Sequence, residues 1–263
     1  DALAVGDKVS VTANPGRDRT RGIASLLTLQ KSGATLYDGT RVFTGGDAPP
    51  KGPAAGARPA AAPASRGSLA GVWATVAEPV LGQFFGASAT LPVTPKGADA
   101  IRAFTDKENP GADCVPFSSP AYMMLPGFKS IELRDTTVLL RGELDAVERV
   151  IHLDARTHDG AAATVQGHSI GHWEGNTLVV DTARFSDHRL GLAAGLSSGT
   201  GKHLVERFEP APGGSALTYR FTVEDPEYLT RAVEGTMHWT KRPGIDFMPM
   251  ACDLDTARRF LRE

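Results

Sequence analysis

The histidines of this chain are its clearest candidates for chemistry. All seven lie between His152 and His238, and an imidazole can accept or donate a proton near neutral pH. A local zinc motif is not predicted, because His168 and His172 lie on a predicted strand, where residues four apart are separated by about 13 Å. A metal bound across strands, for example by His152, His168 and His203, is the weaker alternative, and we predict no metal site and no cofactor.

Acid–base catalysis is the better interpretation of the same residues. His152 and Asp154 share one face of a predicted strand, and His203 begins another. A barrel that turned these side chains inward would hold a proton-transfer pair in a dry cavity, where pKa values shift toward neutrality. We therefore predict His152, Asp154, His168 and His203 as catalytic residues, with histidine as proton shuttle and Asp154 as orienting group or base. The alternative is structural: Asp154 ends a strand in a solvated turn, and His152 binds backbone.

Two arginines are candidates for binding a substrate carboxylate or phenolate. They are Arg149 and Arg207, and Glu143 and Trp173 complete the predicted substrate-binding set. A guanidinium group suits this task because it binds a planar oxyanion through two parallel hydrogen bonds. The alternative is that the arginines form structural ion pairs with Glu143 and Glu206 and that Trp173 packs beside a hairpin turn.

Ser169 lies in the run Gly167-His168-Ser169-Ile170-Gly171, which matches the letters of the serine-hydrolase nucleophile motif. That motif requires a strand, a sharp turn at the serine and then a helix. Here the residues from Trp173 onward predict a hairpin and a further strand instead. The sequence therefore disfavours a serine hydrolase.

Short strands dominate the predicted secondary structure. Apolar and polar residues alternate with period two between turn signals, which indicates half-buried strands of a barrel or sandwich. Turns are predicted at Gly175-Asn176 and at Pro212-Gly213-Gly214. One helix is predicted over residues 92–106, with Thr94 as its N-cap and Pro95 at its first position. The strands are predicted at Lys129–Leu133, Thr137–Leu144, Val147–Leu153, Gly167–Glu174, Thr177–Thr182, His203–Glu209, Ala216–Val223 and Thr230–Thr240.

Three segments differ in composition. Residues 1–46 contain strand-like stretches that are too few for an independent sheet domain, so either strands before Asp1 are missing or this segment packs on the second domain. Residues 47–67 are rich in Pro, Ala and Gly and lack large apolar side chains, which predicts a linker. Residues 68–263 hold the predicted β-barrel.

Three runs of sequence resemble a family of exported bacterial β-barrel proteins of unknown function. The family carries the runs R-I-H-x-D-G-R, G-x-S-I-G-x-W-E-G-D-T-L-V-V-D-T and L-H-V-x-E-R-F. The corresponding segments here are Glu148–Arg156, Gly167–Thr182 and His203–Phe208. The resemblance covers residues 68–255 well and residues 1–46 weakly, where the start of the chain resembles the second half of an OB-like domain.

The resemblance implies export to the periplasm, a lipocalin-like antiparallel β-barrel and a disulfide between Cys114 and Cys252. From their spacing alone, a disulfide and two buried free thiols both remain open. The sequence departs from the family at Ala155, at Gly175-Asn176 and in the loop Ser186–Lys202. If that loop binds a ligand in relatives, the ligand here would differ, and the resemblance implies no particular reaction.

Composition argues against two classes of function. The net charge of −2 is unlike that of most nucleic-acid binders, and no apolar run approaches the roughly 20 residues of a membrane-spanning helix. We predict a mainly β protein, periplasmic or otherwise exported, that acts without a cofactor on a small hydrophobic or aromatic molecule as a lyase, isomerase, hydratase or hydrolase. A non-catalytic ligand-binding barrel and a structural or assembly subunit are the alternatives, and a homo-oligomer is compatible with the sequence.

Overall fold

The chain divides into two compact units, residues 1–58 and 59–263. The computed structural model describes residues 8–15, 24–31, 34–38, 63–75, 84 and 91–258. In the first unit, the strands β1 (Val9–Pro15), β2 (Ala24–Lys31) and β3 (Ala34–Asp38) form an antiparallel sheet in that order. The OB-like identity of this unit stays a prediction, and residues 47–62 of the predicted linker lie outside the described residues.

A closed barrel of nine strands dominates the second unit, which confirms the prediction of a mainly β protein with a β-barrel. The strands of this unit are β4 (Gly71–Thr75), β5 (Phe128–Leu133), β6 (Thr137–Gly142), β7 (Glu148–His152), β8 (His168–Glu174), β9 (Thr177–Ala183), β10 (His188–Ala193), β11 (Leu196–Ser198), β12 (His203–Pro210), β13 (Ala216–Glu224) and β14 (Val233–Lys241). The barrel order is β4-β5-β6-β7-β8-β9-β12-β13-β14, closed between β14 and β4, while β10 and β11 form a separate hairpin.

One neighbouring pair in the barrel is parallel. In β7 and β8, Ile151 lies opposite Ser169 and His152 opposite Ile170, whereas the other barrel pairs are antiparallel. Parallel neighbours cannot be joined by a tight turn, so the chain crosses between them through residues 153–167. At this seam the barrel differs from the purely antiparallel one that the resemblance implies.

Every strand predicted between Lys129 and Thr240 corresponds to a barrel strand, with ends that differ by a few residues. The agreement follows from alternation, because buried and partly exposed residues succeed each other along β12 and β13. The predicted turn at Gly175 is also confirmed: this residue has a φ of +60° and lies between Glu174 and Thr177, which are paired at the ends of β8 and β9. The β10–β11 hairpin was not predicted. Nearly all of its residues are buried, so apolar and polar residues do not alternate along it.

Large aromatic side chains fill much of the barrel interior. Trp73, Tyr219 and Trp239 are fully buried, and the centroid of the Tyr219 ring lies 5.4 Å from that of Trp239 and 5.2 Å from that of Phe208. Burying a large apolar side chain contributes roughly 1.5–3 kcal/mol, and each aromatic pair adds about 0.5–1.5 kcal/mol. This part of the interior is a packed core.

The α-helices among the described residues are short, and the second of them is buried in the core of this unit. They are α1 (Pro95–Ala103), α2 (Ala121–Met124) and α3 (Leu254–Ala257). The predicted cap of α1 is confirmed, because the side chain of Thr94 accepts a hydrogen bond from the backbone N–H of Gly97 at 3.1 Å. Among the described residues, no helix has the length and apolar character needed to cross a membrane.

A disulfide joins Cys114 to Cys252, with 5.5 Å between their Cα atoms. The structure therefore has the disulfide and not the two buried free thiols, the two alternatives that the spacing leaves open. It ties the chain just before α3 to the loop that precedes α2, and thus fixes the end of the described chain to the second unit.

Candidate acid–base site

The predicted catalytic histidines lie on the outside of the barrel. His152, His168 and His203 are partly exposed, whereas neighbours such as Ile151 and Leu204 are fully buried. Because side chains alternate along a strand, the buried neighbours face the interior and the histidines face outward. The prediction that these histidines line a dry cavity inside the barrel is therefore wrong.

The three histidines nevertheless belong to one group of contacting side chains. His158 Nδ1 lies 2.9 Å from His168 Nδ1, and His158 Nε2 lies 2.8 Å from Asp181 Oδ1. His203 Nε2 lies 2.9 Å from the other carboxylate oxygen, Asp181 Oδ2. The ring of His152 stacks on that of His168, with 5.1 Å between centroids. These five residues are called the histidine cluster below.

Strand order and register bring the histidine cluster together. Asp181 lies on β9, which is paired with β8 on one side and with β12 on the other. His168 on β8 and His203 on β12 are diagonal neighbours of Asp181 across these pairings, within reach of side-chain contact. His158 belongs to the crossover between the parallel strands β7 and β8. The parallel seam thus supplies the imidazole that links His168 to the carboxylate.

Asp181 is the ionised member of the cluster. Its partial burial favours the neutral acid, but the hydrogen bonds and charges of His158 and His203 outweigh that effect and lower the pKa of Asp181 below its usual value. An ionised carboxylate only accepts hydrogen bonds. Nε2 of His158 and Nε2 of His203 must therefore each carry a hydrogen.

This assignment gives the hydrogen bonds a direction. A neutral imidazole carries a hydrogen on one nitrogen only, so in the form in which His158 is neutral it donates through Nε2 and accepts at Nδ1 from the Nδ1–H of His168. Nε2 of His168 then keeps a basic lone pair. Burial, together with the charges of His152 and His158, lowers the pKa of His168 and so favours this neutral form. The result is a proton relay from His168 through His158 to Asp181, with His203 on the second carboxylate oxygen.

A shallow concavity of about 260 Å³ lies on the same outer surface. His203, Val205 and Arg207 alternate outward along β12, and the last two line the concavity. Arg207 pairs with Glu174 at 2.7 Å, and both side chains are partly exposed. A ligand carboxylate could therefore compete with Glu174 for the guanidinium of Arg207. The complete lining is Val205, Arg207, Arg220, Phe221, Thr222, Glu234, Gly235 and Thr236.

Arg149, in contrast, is buried inside the barrel. Its two terminal nitrogens lie 3.0 and 2.6 Å from the carboxylate oxygens of Glu206. Burial alone would lower the pKa of Arg149, but the charge and hydrogen bonds of Glu206 outweigh it and raise the pKa. The geometry contradicts a substrate-binding role for Arg149 and matches the alternative of a structural ion pair, with Glu206 as the partner.

Three other predicted site residues lie away from the cluster. Asp154 is exposed beyond the end of β7, and the carboxylate that orients the histidines is Asp181 instead. Glu143 accepts a backbone hydrogen bond at 2.9 Å. Trp173 packs against the core, and the guanidinium of Arg66 lies 5.2 Å from its ring centroid. The roles predicted for the three residues stay predictions.

Sequence patterns single out neither His158 nor Asp181. A signal for Asp181 does exist, because alternation along β9 places it on the face opposite the buried Val180. No comparable signal exists for His158, which lies in the irregular crossover. Its position depends on the parallel pairing of β7 and β8, and local periodicity carries no information about that pairing.

Within the described part of the chain, no set of three or more His, Cys, Asp or Glu side chains has an arrangement that could hold a metal ion. Fold and site together define a closed β-barrel protein with a hydrogen-bonded histidine–aspartate cluster on its outer surface. Comparison with protein families and with curated proteins finds no match for the chain. The resemblance to exported bacterial proteins therefore stays a prediction.

Proposed function

We propose that the protein is an enzyme that acts on a small organic molecule by acid–base chemistry at the histidine cluster, without a cofactor. The proposal depends on one observation, the relay from His168 through His158 to Asp181. A histidine that keeps a lone pair while its other nitrogen is held by a partner is suited to accept a substrate proton. The reaction classes that need such a step include those of lyases, isomerases, hydratases and hydrolases.

In the proposed step, Nε2 of His168 takes a proton from the substrate. The positive charge that forms on the ring is stabilised by the neighbouring imidazole and, through it, by the carboxylate of Asp181. His203 is oriented by the other oxygen of the same carboxylate. It is the proposed partner that exchanges a second proton with the substrate.

The proposed substrate is a hydrophobic or aromatic molecule with a carboxylate or phenolate group. Arg207 supports this choice, because a guanidinium binds such groups well. Arg207 lines the concavity and lies on the same face of β12 as His203, four positions further along the strand. A periplasmic or otherwise exported location is also proposed. The disulfide between Cys114 and Cys252 supports it, since disulfides persist mainly in oxidising compartments.

Solvent exchange of substrate hydrogen tests the proposal without requiring a known product. Proton abstraction next to a carbonyl replaces C–H by C–D in D₂O, which NMR follows directly, and phenylpyruvate with related aryl 2-oxo acids forms a suitable panel. We expect exchange above the buffer rate that falls at least about a hundred-fold in Asp181→Asn. The control is His172→Gln, since His172 lies on β8 beside the cluster but is exposed and contacts Glu174 instead. Equal exchange in wild type and Asp181→Asn contradicts the proposal.

A non-catalytic binding protein is the second candidate, favoured by the concavity and its arginines. It predicts that the same acids shift the NMR signals of Arg207 and His203 without any exchange. Binding of this kind, abolished in Arg207→Gln and unaffected by Asp181→Asn, would support the binding role over catalysis.

A further inference from the structure

The segment that follows β14, residues 242–258, runs along the surface of the second unit. Its backbone is fixed in place, because the N–H of Met250 donates to the carbonyl of Glu143 at 2.7 Å and the disulfide holds Cys252 two residues later. None of its side chains is buried. The segment is therefore anchored by its backbone and by the disulfide, and its side chains are not part of the core.

Two methionines in this segment are exposed to solvent. The sequence has five methionines, and three of them, Met123, Met124 and Met237, lie almost completely buried in the core. Met248 is 71% exposed and Met250 is 51% exposed. Methionine is among the residues that are most often fully buried, so this placement indicates a role in solvent rather than in packing.

The thioethers of Met248 and Met250 are the sulfur atoms on which an oxidant in solution can act. The chain has two cysteines, and both are joined in the disulfide between Cys114 and Cys252. No thiol therefore competes for the oxidant, although a cysteine thiolate is ordinarily oxidised readily. The other three thioethers are shielded by the core.

A thioether reacts with a hydroperoxide by taking up one oxygen atom. The sulfur attacks one peroxide oxygen, the O–O bond breaks, and the proton of the attacked oxygen moves to the leaving oxygen. The products are methionine sulfoxide and water, or an alcohol if the peroxide is organic. The sulfur loses two electrons and the peroxide gains them. Two reductases, one for each sulfoxide epimer, reverse the oxidation.

Oxidation at these two positions does not disturb the packing of the fold. A sulfoxide is polar and disrupts a core when it forms there, but neither Met248 nor Met250 belongs to the core cluster. The anchors of the segment are a backbone hydrogen bond and a disulfide, which a sulfoxide leaves intact. The added oxygen lies in solvent and removes no buried contact.

We propose that Met248 and Met250 form a reversible oxidation site, at which the protein reduces hydroperoxides one molecule per thioether and keeps its fold. The disulfide supports this assignment, since it indicates an oxidising compartment. The site shares no residue with the histidine cluster, so the proposal is independent of the acid–base function.

Peptide mass spectrometry of the full chain after timed exposure to hydrogen peroxide tests the proposal. We expect Met248 and Met250 to gain oxygen at least about a hundred-fold faster than the three core methionines, because a core sulfur reacts only in the small fraction of molecules whose core has opened. Methionine sulfoxide reductases should then restore both residues in the folded protein. The urea midpoint of the oxidised protein should equal that of the untreated protein.

The matched variants exchange methionine for leucine, which keeps the side chain apolar and similar in volume. The double variant Met248→Leu with Met250→Leu should lose the rapid consumption of peroxide, whereas Met237→Leu should keep it. Oxidation of all five methionines at one rate overturns the proposal, as does undiminished peroxide consumption by the double variant. A urea midpoint that falls when only Met248 and Met250 are oxidised also overturns it, since these side chains would then support the fold.

Discussion

Substitution of Glu206 by glutamine leaves the positive charge of Arg149 inside the barrel without its counter-charge. The side chains of this pair are 1% and 0% exposed, and their closest atoms are 2.6 Å apart. Tyr219 donates a hydrogen bond to the same carboxylate at 2.9 Å, and the amide of glutamine can still accept it. The variant therefore removes a charge with little change of shape. Because water cannot replace the lost carboxylate, we expect the free energy of unfolding to fall by about 3–5 kcal/mol.

Urea unfolding followed by tryptophan fluorescence measures this change, since Trp73 and Trp239 are both buried in the barrel. The expected result is a lower midpoint with an unchanged dependence on denaturant concentration. The control is Glu174→Gln. Glu174 pairs with Arg207 at 2.7 Å, but half of its side chain is exposed, and such surface pairs contribute less than about 1 kcal/mol.

Equal destabilisation by Glu206→Gln and Glu174→Gln would refute this reasoning, because it would mean that the interior solvates a lone charge as well as the surface does. A double variant, Arg149→Met with Glu206→Leu, sharpens the test. It removes both charges and keeps the volume apolar, so it should recover part of the lost stability, less the cost of leaving the Tyr219 hydroxyl without its acceptor. A double variant that is no more stable than Glu206→Gln would show that shape, rather than charge, determines the loss.

Three further predictions concern other parts of the second unit. Folding favours the neutral form of His188, since the pKa of this residue falls from 6.5 to about 4. The free energy of unfolding is therefore highest above pH 6.5 and declines by at most about 3 kcal/mol as the pH falls to 4. Urea midpoints that fall just as steeply with pH in His188→Gln would contradict this. Loss of the disulfide in Cys114→Ala with Cys252→Ala should lower the free energy of unfolding by about 2–5 kcal/mol, and an unchanged melting temperature would count against it. Asp181→Asn should remove the preference of His203 for the Nε2–H tautomer, which the ¹⁵N shifts of the imidazole ring report, and an unchanged tautomer would mean that the carboxylate does not orient the ring.

The barrel strands could be predicted because the sequence records them locally. Alternation along β12 and β13 reports which residues are buried, and the glycines at the predicted turns have positive φ angles in the structure. The N-cap of α1 is likewise predictable from two adjacent residues, Thr94 and Pro95. Features of this kind need no knowledge of which strands become neighbours.

The site could be predicted only in part, for the opposite reason. The choice of His152, His168 and His203 names residues that the fold does bring together. The alternation of apolar and polar residues indicates which side chains share a face of each strand, but it does not indicate whether the histidines face the barrel interior or the solvent. The linking residues, His158 and Asp181, depend on the parallel seam and on the position of β9 between β8 and β12. Such long-range pairings have no signature in one sequence without its relatives.

Lys202 is a buried charged group whose hydrogen bonds are all made within the second unit. Nζ of Lys202 donates to Ser118 Oγ at 2.6 Å and to the carbonyls of Ser119 and Gly191 at 3.0 Å each. Burial lowers the pKa of Lys202 to about 7, while three acceptors match the three hydrogens of its charged form. A ligand that displaced the acceptors of Lys202 would leave buried polar groups unpaired, which costs about 1–3 kcal/mol for each group. The partly exposed histidine cluster carries no comparable cost, which is the physical reason for placing the proposed acid–base site on the outer surface.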